Sequence, residues 1–295
     1  MQSSLVHFID LVKLQHTLFA LPFALISAMV AWKVSQSFHW VHLVGILACM
    51  VTGRSAAMAF NRLVDSTYDA ENPRTANRHI PAGLLKKTQV TAFILINSGA
   101  FLAACSLFLI DNNPWPLIFG LPTLLFLLSY SYAKRFTSLC HFWLGFALAL
   151  SPLGSWVAIR GLAWAEAPIP FMLTGTVLFW VAGFDMLYAC QDVVFDKAKN
   201  LYSIPAKIGV QNTLRLAFLS HLIMLGFLFG FFLLASPPLG AIYLSGVALV
   251  ACLVLYQHSL VNKNDLTRVN QAFFNVNVVI SVGLFFIVLA QILLA

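Results

Sequence analysis

Charge is what this sequence has least of. Lys, Arg, Asp and Glu make up 9% of its 295 residues and hydrophobic residues 60%, whereas soluble globular domains carry about 25% charged residues. That balance excludes a soluble fold and reads as a polytopic membrane protein in one bundle. Cysteine is also sparse: Cys49, Cys105, Cys140, Cys190 and Cys252 stand singly, without the spacing of a metal site or redox pair, and are expected to serve packing. A long basic tract is missing too. The net charge of +7 is spread over short connections, so it speaks for membrane topology and not for a nucleic-acid partner. A cleavable leader is not expected, because Lys13 is the first basic residue and a full-length apolar run follows it; this run is expected to be a retained span.

What is present is a series of apolar runs, each near the roughly 20 residues that cross the hydrocarbon as helix. They fall at about 14–32, 40–60, 89–110, 115–132, 139–159, 168–188, 212–235, 239–260 and 272–294. Helix is required because an open sheet leaves backbone groups unpaired in lipid, and the runs are too continuous for barrel strands. The expected fold class is therefore all-α, a polytopic bundle of about nine transmembrane helices forming one domain over 1–295. Basic residues concentrate before the first run and in the even-numbered connections, with only Lys33 and Arg160 in the odd ones. By the positive-inside rule the N-terminus and the even connections are cytoplasmic. An integral protein of the bacterial inner membrane is expected, in contact with lipid and with no obligate protein partner evident. Turn formers in Asp111-Asn-Asn-Pro and Ser236-Pro-Pro close the outer side.

Six of the ten acidic residues, Asp65, Asp69, Glu71, Asp185, Asp192 and Asp196, lie in or beside two stretches. One is Asn61-Arg-Leu-Val-Asp65-Ser-Thr-Tyr-Asp69; the other is Asp185-Met-Leu-Tyr-Ala-Cys-Gln-Asp192-Val-Val-Phe-Asp196. Each ends an apolar run and leads into a basic loop, with Pro81-Ala-Gly83 in one and Pro205-Ala-Lys-Ile-Gly209 in the other, a faint repeat with halves at about 1–135 and 136–295. Ionised Asp at a helix centre costs on the order of 2.5 to 3.5 kcal/mol, so both stretches belong at helix ends facing a polar space. A spacing of four places Asn61, Asp65 and Asp69 on one helical face, and Asp192 and Asp196 on another, which Tyr188 and Asp185 extend. Oxygen-only ligands of this kind suit Mg²⁺, which favours one or two carboxylates completed by water and a substrate phosphate, here a diphosphate. The plainer alternative is that the acids pair with loop Arg and Lys, which is favoured for Glu71.

These residues resemble the intramembrane aromatic prenyltransferases of the UbiA superfamily. The first family motif is matched by Asn61, Asp65 and Asp69, and the second, Asp-x-x-Tyr-Ala-x-x-Asp-x-x-x-Asp, by Asp185, Tyr188, Ala189, Asp192 and Asp196. Many members carry an acid after the first Asn; this chain has Arg62, as does the branch near the 4-hydroxybenzoate enzymes. Asn72-Pro-Arg-Thr75, Asn77-Arg-His-Ile-Pro-Ala-Gly83, Tyr130-Ser-Tyr-Ala-Lys-Arg135 and Ser203-Ile-Pro205 extend the likeness over essentially the whole chain.

The resemblance implies Mg²⁺-dependent transfer of a polyprenyl group from a polyprenyl diphosphate to a small aromatic acid, 4-hydroxybenzoate or a hydroxynaphthoate, in ubiquinone or menaquinone biosynthesis. It implies Asn61, Asp65, Asp69, Asp192 and Asp196 around metal, Asp65, Asp192 and Asp185 in catalysis, and a cytoplasmic active site. Arg62, Arg78, Lys134, Arg135 and Lys197 are the basic candidates for the leaving diphosphate, and Lys13 and Tyr188 for the aromatic acceptor. Tyr130, Tyr132 and Tyr188 can present ring faces to an allylic cation. His16 and His79 sit near the same side and are expected to be solvated or satisfied. The proton acceptor stays open among Asp185, Asp196 and water. The rival from another class is a cation-coupled transporter, which favours acids at mid-membrane and matched broken helices.

Overall fold

The computed structural model describes residues 4–13, 15, 17–235 and 239–294; His16 and the Ser236-Pro-Pro turn lie outside the described residues. In chain order the helices are α1 (Ser4–Val12), α2 (Thr17–Ser35), α3 (Trp40–Val64), α4 (Ser66–Glu71), α5 (Lys87–Ser106), α6 (Trp115–Ala133), α7 (Cys140–Arg160), α8 (Pro168–Ala189), α9 (Val193–Ala198), α10 (Ile204–Ile208), α11 (Val210–Leu234), α12 (Ala241–Ser259) and α13 (Val276–Leu294). Among the described residues nine helical segments are long and apolar enough to cross a membrane, and each overlaps one of the nine apolar runs. The protein is an all-α integral membrane protein. The first span starts at Thr17, later than the apolar run suggests, because Lys13 takes a left-handed backbone (φ 48°) and separates it from α1. Such a conformation is uncommon for a residue with a side chain and marks a real break.

The chain groups into two compact units, one of residues 1–17 and 39–132, the other of 18–38 and 133–295. In the first, α1 packs Leu11 and Val12 against Ala59 of α3 and against Leu85, Val90 and Ile94, with Phe8 stacked on Phe93 at 4.7 Å. Farther along the same helices, Ala56 joins Phe101, Cys105 and Leu124. Small residues on α3 let neighbouring helices approach, the usual device where lipid is as apolar as the side chains.

In the second unit α8 lies against both α7 and α11. Gly145 of α7 faces the Leu178 carbonyl of α8, and Gly183 of α8 faces the His221 ring of α11, so neither position has room for a β-carbon. A large apolar core joins Phe19, Phe23 and Ile26 of α2 to Trp156, Trp180, Phe184 and Ile280. Several polar groups inside this core find partners, as the absence of water demands, although Trp156 Nε1 has none. Ser27 donates to the Pro152 carbonyl (2.6 Å), Ser281 to the Leu18 carbonyl (2.6 Å) and Trp180 to Asn277 Oδ1 (2.7 Å). A π-helical turn at Gln271–Asn275 precedes α13, and its loosened carbonyls are taken up by Gln257 on Ala272 (2.9 Å) and by Asn277 on Phe273 (2.8 Å).

Candidate active site

Both acidic stretches fold as a long span, a joint and a short helix. In the first unit α3 ends at Asp65, whose φ of −88° and ψ of 5° leave the α-helical basin before α4 carries Asp69. In the second unit α8 passes through a 3₁₀ turn, Cys190–Asp192, to Asp192 at φ −98° and ψ 4°, and α9 carries Asp196. The expected single helical faces are thus each bent at the first Asp of the pair. The bend is local: Asp65 N–H still donates to the Asn61 carbonyl (2.9 Å) and Asp69 N–H to the Asp65 carbonyl (2.8 Å). Spacing of four therefore survives as a helical contact although the helix axis turns.

The side chains of the first unit form one cluster. Asn61 Nδ2 donates to Asp65 Oδ2 at 2.8 Å, and Asn61 Oδ1 accepts from the Arg62 guanidinium at 3.3 Å. Arg78 donates to Asp69 Oδ1 at 2.7 Å. Asp69 is buried, 6% exposed, and its other oxygen, Oδ2, has no hydrogen-bond partner. The loop behind it is fixed by its own residues: Asn72 Oδ1 accepts from Arg74 N–H (2.9 Å), and Thr75 donates to the Asp69 carbonyl (3.2 Å). This is why Asn72-Pro-Arg-Thr75 accompanies the acidic stretch; it holds the backbone from which Arg78 reaches back.

The second unit repeats the scheme with different residues. Asp192 and Asp196 are buried, and Asp196 Oδ2 lacks a hydrogen-bond partner, with the half-buried Lys134 ammonium 3.6 Å away. Burial lowers the Lys134 pKa, but Asp196, Cys140, Asp192 and Asp185 together outweigh it and hold it above the ordinary 10.5, so the ammonium stays charged. The Lys134 carbonyl accepts from Tyr202 N–H at 2.7 Å, which ties the α6–α7 connection to the one between α9 and α10.

Asp185 has a partner of its own on α7. It receives a hydrogen bond from His141 Nδ1 at 2.6 Å, and the His141 side chain is fully buried. His141 Nε2 accepts from Ile204 N–H at 3.4 Å. These partners point Nδ1 at the Asp185 carboxylate and Nε2 at the Ile204 N–H. Ile204 is presented by Ser203, which caps α10 by accepting from Ala206 N–H (3.4 Å), with Pro205 in the first turn. Ser203-Ile-Pro205 is therefore a mount for the histidine. His141 was absent from the residues singled out in the sequence; the available signal was a polar residue in the first turn of an apolar span.

The remaining candidates are placed less centrally. Tyr188 packs its ring on Phe273, centroids 4.3 Å apart. Tyr130 sends its hydroxyl to Met58 Sδ (3.9 Å), and Tyr132 lies edge-on to Phe60 at 5.9 Å. Lys197 is exposed on α9 and makes no ion pair among the described residues, and Lys13 is exposed at the α1–α2 break. Arg135 is half-buried beside Lys134. Burial lowers the His79 pKa, partly countered by Asp10, so it is neutral beside His7 at 5.8 Å.

The donor set fits a hard divalent cation. Each unit holds a buried carboxylate oxygen without a hydrogen-bond partner, which is costly unless a cation comes to it. The acidic stretches offer carboxylate oxygens, and Arg78 and Lys134 stand beside Asp69 and Asp196, as binding of a metal with an anionic ligand requires.

Residues 20–279 match the model of the UbiA prenyltransferase family. The chain belongs to that family. It is a prenyltransferase, and its relatives bear this out: it is 28% identical over 255 residues to a 4-hydroxybenzoate octaprenyltransferase of Aromatoleum aromaticum, covering 83% of this chain and 81% of that protein. The enzyme of the same name from Nitrosospira multiformis is 27% identical over 256 residues, 83% of each chain. Among solved structures, a UbiA homologue from Aeropyrum pernix K1 matches with a TM-score of 0.82 at 29% identity over 95% of this chain and 97% of that one. A UbiA homologue from Archaeoglobus fulgidus, bound to DMAPP and Mg²⁺, shares the fold with a TM-score of 0.72 at 17% identity, covering 98% of this chain and 99% of that one.

Proposed function

We propose that this UbiA-family enzyme transfers a polyprenyl group from a polyprenyl diphosphate to a small aromatic acid, 4-hydroxybenzoate or a hydroxynaphthoate, for quinone biosynthesis, with its acidic ends on the cytoplasmic side of a bacterial inner membrane. The observation that carries this reading is the open oxygen on a buried aspartate in each unit, Asp69 and Asp196, each with a basic side chain beside it. The names of the relatives support the acceptor and the donor, and the Mg²⁺ and DMAPP of the Archaeoglobus homologue support the metal and the diphosphate.

In this reading Asp65 and Asp69, oriented by Asn61, would hold Mg²⁺ in the first unit, and Asp192 with Asp196 would do so in the second. Bound there, the metal supplies charge that stabilises the leaving diphosphate as the allylic C–O bond breaks. Arg78 and Arg62 in the first unit and Lys134 in the second would supply fixed positive charge for a leaving diphosphate, already oriented before reaction by their carboxylate and amide partners. The ring attacks the allylic carbon, and the resulting arenium ion loses its proton. Asp185 is the acceptor for this proton, its carboxylate oriented by the hydrogen bond from His141 Nδ1.

The test is purified protein in detergent with a polyprenyl diphosphate and a panel of aromatic acids, the product identified by mass. Transfer is expected only with Mg²⁺ and only to hydroxybenzoate- or hydroxynaphthoate-type acceptors. Cation uptake into vesicles without a prenylated product would establish the transporter instead.

A further inference from the structure

At the far end of the first unit's long helix stands a second cluster of metal-ligating groups that the transfer reaction does not use. His39 is the N-cap residue of α3, His42 lies in its first turn, and Asp111 closes the 3₁₀ turn Leu107–Asp111 after α5. His42 Nε2 is 2.8 Å from Asp111 Oδ2, and His39 Nδ1 is 3.2 Å from Asp111 Oδ1. The two imidazole rings lie nearly parallel, 5.1 Å apart and 10° off plane, so both present a ring nitrogen to the one carboxylate. All three ligand atoms lie within 4.8 Å of one another. Counted along α3, this end is about 30 Å from the acidic end at Asn61, at 1.5 Å per residue.

We propose that His39, His42 and Asp111 form a binding site for Zn²⁺ at the membrane face opposite the acidic ends. Two imidazoles and one carboxylate are borderline and hard donors in the combination that zinc takes with three protein ligands and one solvent position. Ligand bonds of about 2.0 to 2.2 Å place donor atoms roughly 3.3 to 3.5 Å apart in a tetrahedral site, slightly wider than the two nitrogen–oxygen separations here. The His39 side chain, 48% exposed, can open by that amount, while His42, 8% exposed, is held in place with its ring near Phe108. The exposed histidine is also the way in for the ion from water.

The donor chemistry separates this site from the acidic stretches. Imidazole nitrogen prefers zinc and its neighbours in the first transition row over Mg²⁺, whereas the oxygen-only carboxylates near Asp69 and Asp196 prefer the hard cation. The Asn112 backbone, left-handed at φ 56°, turns the chain immediately after Asp111 and fixes the carboxylate opposite α3. A bound ion would therefore join the start of α3 to the end of the α5 span within one unit.

Full-length protein in detergent, stripped with chelator and then kept in excess Mg²⁺ to fill the oxygen sites, is titrated with Zn²⁺. One saturable Zn²⁺ per chain is expected, with a rise in thermal midpoint, and Co²⁺ in its place should show the visible absorption of a low-coordinate nitrogen-ligated ion. His39→Gln, a change at an exposed position, should weaken Zn²⁺ at least tenfold and remove the Co²⁺ band while leaving prenyl transfer unchanged; Asp111→Asn should do the same. The proposal is overturned if wild-type protein shows no saturable Zn²⁺ binding, or if His39→Gln and Asp111→Asn bind Zn²⁺ as tightly as wild type.

Discussion

The Nδ1–H of His141 and the Oδ2 of Asp185, 44 residues apart in the chain, meet at 2.6 Å inside the second unit. The contact joins the start of α7 to the last turns of α8 and leaves Asp185 partly accessible at 21% side-chain exposure. A carboxylate held by a fixed donor keeps its direction, which is what a proton acceptor needs.

If His141 only positions Asp185, its loss should lower kcat more than it raises KM. A hydrogen bond to a charged group is worth about 1.5 to 3 kcal/mol, so His141→Gln is expected to slow turnover roughly tenfold to a hundredfold. Asp185→Asn should be slower still, with diphosphate binding retained. Steady-state kinetics with the prenyl donor and the aromatic acid varied separately test the split; equal losses in KM for both substrates would assign the pair to folding instead.

Asp69→Asn and Asp196→Asn each remove one charge from an oxygen pair of which one member is without a hydrogen-bond partner. The Mg²⁺ concentration for half-maximal activity should rise at least tenfold in each variant, and kcat should fall by two orders of magnitude or more. The Mg²⁺ dependence of initial rate measures both. Activity unchanged at limiting Mg²⁺ would remove these two residues from the metal.

Lys134→Met should destabilise the protein by leaving Asp196 buried beside no cation. Breaking a fully buried pair costs about 3 to 5 kcal/mol, but Lys134 is 38% exposed, and solvent screening reduces this to about 1 to 2 kcal/mol. The pH dependence follows from the raised Lys134 pKa. A lysine raised above its unfolded value contributes stability that is complete below that value and disappears as pH rises through the folded one. The difference between wild type and Lys134→Met should hence be flat from pH 6 to pH 9, as estimated from that linkage, and shrink only in strong alkali. Thermal midpoints of both proteins across that range provide the check.

Gly145→Val should loosen the second unit without touching any acidic residue, since its side chain meets the Leu178 carbonyl on the facing helix. Overpacking of this kind costs about 1 to 3 kcal/mol. The thermal midpoint in detergent should drop, with the Mg²⁺ requirement of the remaining activity unaltered.

The nine spans were readable because hydropathy alone decides what crosses a membrane, and the acidic stretches because Asp is so rare here that clustering is itself a signal. The break at Lys13 was not readable: Leu11 and Val12 are as apolar as the span that follows, and only their burial against Ala59 and Val90 gives α1 a separate role. Spacing of four indicated which acids share a face but not the joints at Asp65 and Asp192, because nothing in Leu-Val-Asp65-Ser or Cys-Gln-Asp192-Val is a helix breaker. His141 escaped for a different reason. Its partners, Asp185 and Ile204, are 44 and 63 residues away, so its meaning depends on contacts that no local pattern carries.

The assignment of α2 to the second unit has a consequence for how the protein is made. Residues 18–38 leave the ribosome early, yet the surfaces they bury against, around Pro152, Trp180 and Ser281, are encoded more than a hundred residues later. During synthesis α2 must wait in the bilayer with its core face unmatched, while residues 39–132 can already assemble with α1. Biogenesis should accordingly proceed with the first unit settling early and the second closing last, around a helix that was inserted before any of its partners existed.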